Sequence, residues 1–174
     1  MSASTAIHIV TLEEFLRRPE RADGQREELI EGEIVLSPEP KPLHAQIVGR
    51  LREALAPLKQ QGFVIEGPFG CQLPNTLPGP DLGVMREERW QEAIQNDAYP
   101  EGSPDLVVEV RSPSNRQLGR KASLYLEHGA EAVWIINPKR RAIVVYDQDG
   151  IREIRENEQL DFHGVQVDVA AIFR

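Results

Sequence analysis

Apolar residues recur along this chain in two rhythms, and each rhythm assigns an element. Ile47, Val48, Leu51, Leu55 and Leu58 fall three to four residues apart, which predicts a helix over His44–Leu58 with one face on a core. Leu118, Ala122 and Tyr125 repeat that spacing and predict a second helix over Leu118–Glu127, with Gly129 as its stop. Thr11 and Glu14 have the form of a capping box for a short helix through Arg17, with Pro19 beyond its end. Short apolar runs between turn residues predict strands over Phe63–Ile65, Gly70–Leu73, Asp81–Met85, Leu106–Val110, Ala132–Ile136, Ala142–Tyr146, Ile151–Ile154 and Gly164–Val169. Glu28–Ser37 reads as a strand pair or as a strand with a tight turn at Gly32. Pro38–Pro42, Pro74–Pro80, Asn137-Pro138 and Asp149-Gly150 read as breaks and turns. Arg86–Pro100 is polar and is expected to be a surface excursion with one helical turn around Trp90.

The strand at 106–110, the helix at 118–127 and the strand at 132–136 form a strand–helix–strand unit. Such units pair their strands in parallel through a right-handed crossover. The expected fold class is therefore α/β, or α+β, with a mixed sheet. No repeat and no long linker divides the chain, so 1–174 is expected to be a single domain, with residues 1–9 a flexible N-terminus. The 174 residues are 40% hydrophobic and 28% charged, a globular composition. No apolar stretch reaches the roughly 20 residues of a membrane helix. Met1-Ser2-Ala3-Ser4-Thr5 lacks the basic region and apolar core of a secretory leader, so a cytoplasmic location is the expectation. Cys71 is the single cysteine, which excludes an internal disulfide and a cysteine zinc cluster.

The net charge of −8 argues against a protein that coats nucleic acid generally, since those are basic. It leaves a nuclease open, because acids that hold a metal are themselves negative. Arg111, Arg116, Arg120 and Lys121 would form a local basic patch able to meet phosphates.

The chemistry concentrates in Pro104-Asp105-Leu106-Val107-Val108-Glu109-Val110-Arg111-Ser112-Pro113-Ser114. In a strand, Leu106, Val108 and Val110 face one way, and Asp105, Val107, Glu109 and Arg111 the other. Charged groups on a largely apolar segment call for a partner, a metal or a cleft. A second Pro-Asp, Pro80-Asp81, opens another short apolar run, and two acid-bearing strands suggest a divalent metal site. Phosphodiester hydrolysis needs a positioned water and neutralisation of developing negative charge. Mg²⁺ takes oxygen ligands and acidifies a bound water, and a nearby lysine stabilises the transition state. Asp81, Glu109 and Lys121 supply those residue types. Each also has a plainer reading: Asp81 as a turn residue, Asp105 as a strand start, Glu109 in an ion pair with Arg111 or Lys121, and Lys121 as a solvated helix residue. His44 could equally cap a helix or sit in the core, and Tyr125 and Trp134 read as core. Of Glu28 and Glu31, one would reach the site and the other cap the Gly32 turn.

Glu28-Leu29-Ile30-Glu31-Gly32, His44, Pro80-Asp81, the 104–114 segment, Lys121 with Tyr125, and Trp134-Ile135-Ile136-Asn137-Pro138 together resemble the Uma-type restriction endonuclease family, from about Val10 to about Ala170. The resemblance implies the PD-(D/E)XK nuclease superfamily and its restriction-endonuclease-like mixed β-sheet flanked by helices, here with additional N-terminal and C-terminal strands. It implies a metal-dependent DNA endonuclease that uses Mg²⁺, with Mn²⁺ as an alternative. Asp81 and Glu109 would hold the metal, Lys121 would complete the catalytic set, and His44 and Glu28 would lie near it. Arg111, Arg116 and Arg120 would meet substrate phosphates. DNA is the implied partner, and a homodimer would place two sites on a duplex. One position departs from the superfamily pattern. The usual lysine two residues after the second acid is Arg111 here, and arginine does not give up its proton. Lys121 lies twelve residues after Glu109, on the following helix. The competing reading is a catalytically inactive nuclease-fold protein that acts as a nucleic-acid-binding or protein-interaction module.

Overall fold

The computed structural model describes residues 9–19, 21–23, 25–37, 39–112 and 117–174. Except for Ile9, the N-terminus expected to be flexible lies outside the described residues, as do Pro38, Pro113, Ser114 and Arg116.

Local sequence sets the first elements. Thr11 Oγ1 accepts the Glu14 N–H at 3.2 Å and Glu14 Oε2 accepts the Thr11 N–H at 2.8 Å, which closes the capping box of α1 (Leu12–Leu16). β1 (Glu27–Ile30) and β2 (Glu33–Leu36) form a hairpin around Glu31-Gly32. Both turn residues have positive φ, 49° and 84°, as the tightest hairpin turns require. α2 (Pro42–Leu55) starts on a proline, whose missing N–H is no loss in a first turn, and buries Ile47, Leu51 and Leu55. The apolar spacing continues to Leu58, but the α-helix does not. Pro57 has no N–H to extend the ladder, and a 3-10 turn over Ala56–Gln61 buries Leu58 instead.

Next come β3 (Phe63–Glu66), β4 (Leu82–Arg86), α3 (Glu87–Gln95), β5 (Leu106–Val110), α4 (Leu118–Glu127), β6 (Ala132–Asn137), β7 (Ala142–Asp147) and β8 (Gly150–Arg155). The six strands from β3 to β8 form one sheet in chain order. Every neighbouring pair is antiparallel except β5 and β6, which are parallel and joined through α4. A second hairpin, β9 (Gln159–Phe162) and β10 (Val165–Asp168), leads into a single turn of helix, α5 (Val169–Ile172).

The sheet is covered on both faces, which is why its central strands read as continuous apolar runs. On one face Leu106, Val108 and Val110 pack with Trp134 and Ile136 against α2, the β9–β10 hairpin and α5. On the other, Val107, Val133 and Ile135 pack against Leu118, Ala122 and Tyr125 of α4 and Ile30 of β1. Strand alternation puts Glu109 on this second face.

Three segments differ from the sequence reading. Gly70–Leu73 makes only isolated bridges, Gln72 to Glu101 and Leu73 to Thr76, because Pro68, Pro74 and Pro78 remove the donors a ladder needs. The 86–100 segment holds the nine-residue helix α3, which buries Ala93 and sets Trp90 edge-on to Phe69 at 5.0 Å. Its many charges hid a narrow apolar stripe. The strand expected over 164–169 ends at Asp168, whose carboxylate caps α5 by accepting the Ala170 N–H at 3.0 Å, and β9 was not anticipated. No helix among the described residues is long and apolar enough to cross a membrane.

Trp134 is 1% exposed and Ile151 is 69% exposed. Trp134→Ala should therefore cost about 3–5 kcal/mol in urea unfolding. Ile151→Ala should stay within about 0.5 kcal/mol of wild type. Comparable losses in the two variants would contradict this core assignment.

Candidate functional site

Strand register builds the site. In the antiparallel β4–β5 pair, Leu82 lies opposite Val108 and Gly83 opposite Val107. One step further along, Asp81 reaches the level of Glu109, and its Oδ2 accepts the Val110 N–H at 2.7 Å. The parallel β5–β6 pair ends close by, where the Arg111 N–H donates to the Ile136 carbonyl at 2.8 Å. The chain segments leaving β5 and β6 line a cleft of about 790 Å³ beyond the carboxyl ends of the parallel strands. Its walls include Glu28, His44, Asp81, Glu109, Arg111 and Lys139.

Glu109 is 2% exposed. Its Oε1 lies 2.6 Å from Lys121 Nζ and accepts the Tyr125 hydroxyl at 3.0 Å. Lys121 and Tyr125 are four residues apart on α4, so their side chains lie one above the other on the same face. Lys121, 4% exposed, also meets Glu28 Oε2 at 2.8 Å. Glu28 Oε1 in turn accepts from Ser37 Oγ at 2.5 Å and from Arg26 Nη2 at 3.3 Å. Arg26 donates as well to the Gly79 carbonyl at 3.0 Å, tying the first hairpin to the loop that leads into Asp81. A continuous polar network thus runs from Arg26 through Glu28, Lys121 and Glu109 to Tyr125.

Two buried carboxylates share one ammonium in this network. Burial raises the Glu109 carboxyl to about 7, the Asp81 and Glu28 charges act in the same sense, and Lys121 opposes them. Burial alone would discharge Lys121, but Glu109 and Glu28 outweigh it and hold the ammonium above its ordinary range. Burial also lifts Tyr125 well above 10, so its hydroxyl remains a donor to Glu109. His44 Nε2 lies 3.1 Å from Asp81 Oδ1, and the Asp81 carboxylate raises the imidazole above 6.5 against the pull of its burial. Cys71, close to the network, is pushed up to about 12 by burial and stays an inert thiol.

Asp81 and Glu109 supply hard oxygen donors at the cleft. Mg²⁺ is commonly held by one or two carboxylates, with water and substrate phosphate completing its shell. Among the described residues no group of three His, Cys, Asp or Glu side chains is arranged to hold an ion. The donor set therefore fits an open two-carboxylate site and does not fit a closed protein cage.

Of the residues singled out in the sequence, Glu28, His44, Asp81, Glu109 and Arg111 meet at the cleft. Lys121 is next to them but is not part of the cleft wall; it supports Glu28 and Glu109. Arg120 pairs with Glu31 at the surface, away from the cleft wall. Arg116 lies outside the described residues. Asp105 accepts the Arg86 N–H at 3.1 Å and faces Arg89 at 3.7 Å, apart from the cleft. The sequence reading missed the Tyr125 hydroxyl, Ser37, Arg26, Lys41 and Lys139. The four-residue Lys121–Tyr125 spacing was a usable signal for the first. Lys41 and Lys139 sit in connecting segments that carry no pattern.

Comparison with known proteins follows the same line. Residues 12–170 match the Uma2 family, described as "Putative restriction endonuclease". Among solved structures, a protein from Anabaena variabilis ATCC 29413 described as "a putative nuclease belonging to DUF820" superposes with a TM-score of 0.82. The two are 22% identical, and the match covers 94% of this chain and 97% of that one. At that identity the likeness is one of fold, a mixed sheet flanked by helices. No curated protein matches the chain.

Lys121→Met should leave two buried carboxylates without their cation and cost about 3–5 kcal/mol. The loss should be larger near pH 8 than near pH 5, because Glu109 takes up a proton in acid and no longer needs the cation. Equal losses at both pH values would show that the pair is not buried as described. The His44 ring should titrate above 6.5 by NMR and drop in Asp81→Asn. Since its folded value is raised, the His44 contribution to stability is full below pH 6.5 and fades as pH rises through the folded-state midpoint.

Proposed function

From the premise that this chain belongs to the Uma2 restriction endonuclease family, we propose that it is a divalent-metal-dependent endonuclease that hydrolyses phosphodiester bonds in DNA. The observation that carries this reading is the β4–β5 register, which brings Asp81 to the level of Glu109 on one cleft. A bound Mg²⁺ or Mn²⁺ would supply a Lewis acid for the phosphate and an acidified water.

The residues of the chain divide the remaining work. Asp81 and Glu109 would hold the ion, and the Val110 amide fixes the Asp81 carboxylate. Lys121 counters the burial that would otherwise keep Glu109 protonated, and Tyr125 fixes which oxygen of Glu109 faces the helix. Arg111 stands where the superfamily's lysine is usual. Its guanidinium can clamp a phosphate through two parallel hydrogen bonds but cannot act as a base. His44 donates toward Asp81 and orients it. Cutting both strands of a duplex takes two such sites, so a pair of chains belongs to this proposal.

A second reading, a module that holds nucleic acid without cutting it, is favoured by Arg111 in the lysine position and by Lys121 set off the cleft wall. One experiment separates the two. Purified protein is incubated with plasmid DNA in Mg²⁺, in Mn²⁺ and in EDTA, beside Asp81→Asn and Glu109→Gln. Metal-dependent cleavage that drops by at least about 100-fold in both variants supports the nuclease. Binding without turnover in either metal supports the module. Cleavage that survives EDTA, or that both variants retain, would remove Asp81 and Glu109 from the chemistry.

A further inference from the structure

Among the described residues, four cationic side chains make no ion pair, hydrogen bond or ring contact: Lys41, Lys59, Arg111 and Lys139. Three of them, Lys41, Arg111 and Lys139, line the cleft. Apart from Lys59, the other described cations are engaged. Arg52 meets Glu66, Arg120 meets Glu31, Arg140 meets Glu153 and Arg152 meets Asp147. Arg50 and Arg86 donate to the carbonyls of Ile172 and Gln61. A chain with a net charge of −8 does not lack carboxylates, and Glu39 lines the same cleft without pairing with Lys41. The three free cations also come from separate segments: Lys41 precedes α2, Arg111 follows β5 and Lys139 follows β6.

We propose that Lys41 and Lys139, together with Arg111, contact successive backbone phosphates of a nucleic-acid strand laid along the cleft. The inference rests on the nuclease reading and deepens it by naming the residues that position the strand on either side of the scissile phosphate. A single scissile phosphate would be served by Arg111 and the carboxylate-bound ion. Two further lysines imply phosphates on neighbouring nucleotides. Lysine is a compact charge on a flexible stem, suited to phosphate and uninformative about base identity. The contacts should therefore position the strand without reading its sequence.

The test is fluorescence anisotropy with fluorescein-labelled DNA duplexes of two unrelated sequences, with Ca²⁺ in place of Mg²⁺, over a series of salt concentrations. Each phosphate contact removed should lower the slope of log affinity against log salt by about 0.9. Lys41→Gln and Lys139→Gln should each show that drop, equally on both duplexes. Lys59→Gln, which removes an equally free cation outside the cleft, should keep the wild-type slope. Thermal melts of all variants exclude a folding effect. Wild-type slopes in both cleft variants, or a loss on one sequence alone, would overturn the inference while leaving the nuclease reading intact. A wild-type protein that binds neither duplex would overturn both.

Discussion

Removing a carboxylate from water costs several kcal/mol unless a cation and hydrogen bonds replace its hydration. Glu109 is buried in the middle of the central sheet, so this constraint reaches across the fold. Its cation comes from α4, its hydroxyl donor comes one turn later on the same helix, and the second carboxylate on that cation comes from β1. The parallel strand pair, its crossover helix and the N-terminal hairpin are therefore held in register by one polar network set into an otherwise apolar face. Shifting β5 by one residue would turn Glu109 onto the α2 face, among Leu51, Trp134 and Ile136, with no cation to meet it.

The same network sets the charge state of the cleft. Lys121 and Arg26 meet Glu109 and Glu28, and His44 meets Asp81, so three carboxylates and their partners gather at one place. The carboxylates open on a cleft beyond the strand ends. Asp81 is held by the backbone of the strand that carries Glu109, which makes the spacing of the two acids a property of sheet geometry and not of flexible loops.

The partnered carboxylates of the cleft are accompanied by free positive charge on its walls. The surface of the protein is laced with arginine–carboxylate pairs, most of them exposed and individually weak. Among the described residues such pairing leaves only Lys41, Lys59, Arg111 and Lys139 free, and three of these four line the cleft. An acidic chain can in this way present a local face to phosphates while its overall charge repels nonspecific binding.

Much of this was legible in the sequence because it depends on local spacing. The two-residue period of 106–110 put Glu109 on the face opposite Leu106, Val108 and Val110, the helical spacing of Leu118, Ala122 and Tyr125 gave α4, and the strand–helix–strand order suggested a parallel pair. The place of Lys121 came from the family resemblance, since spacing alone left it a solvated helix residue. The Thr11 capping box, the Gly32 turn and the two Pro-Asp strand starts are likewise local. What periodicity could not reveal is which distant segment each face would meet. Glu28 and Lys121 are 93 residues apart in the chain, and nothing in either neighbourhood names the other. The tertiary structure alone decided that Glu31 takes Arg120, that Lys121 stands off the cleft wall, and that Lys41 and Lys139 line it. A hydrophobic pattern states which side of an element avoids water; the pairing of charges depends on distances set only when the whole sheet has closed.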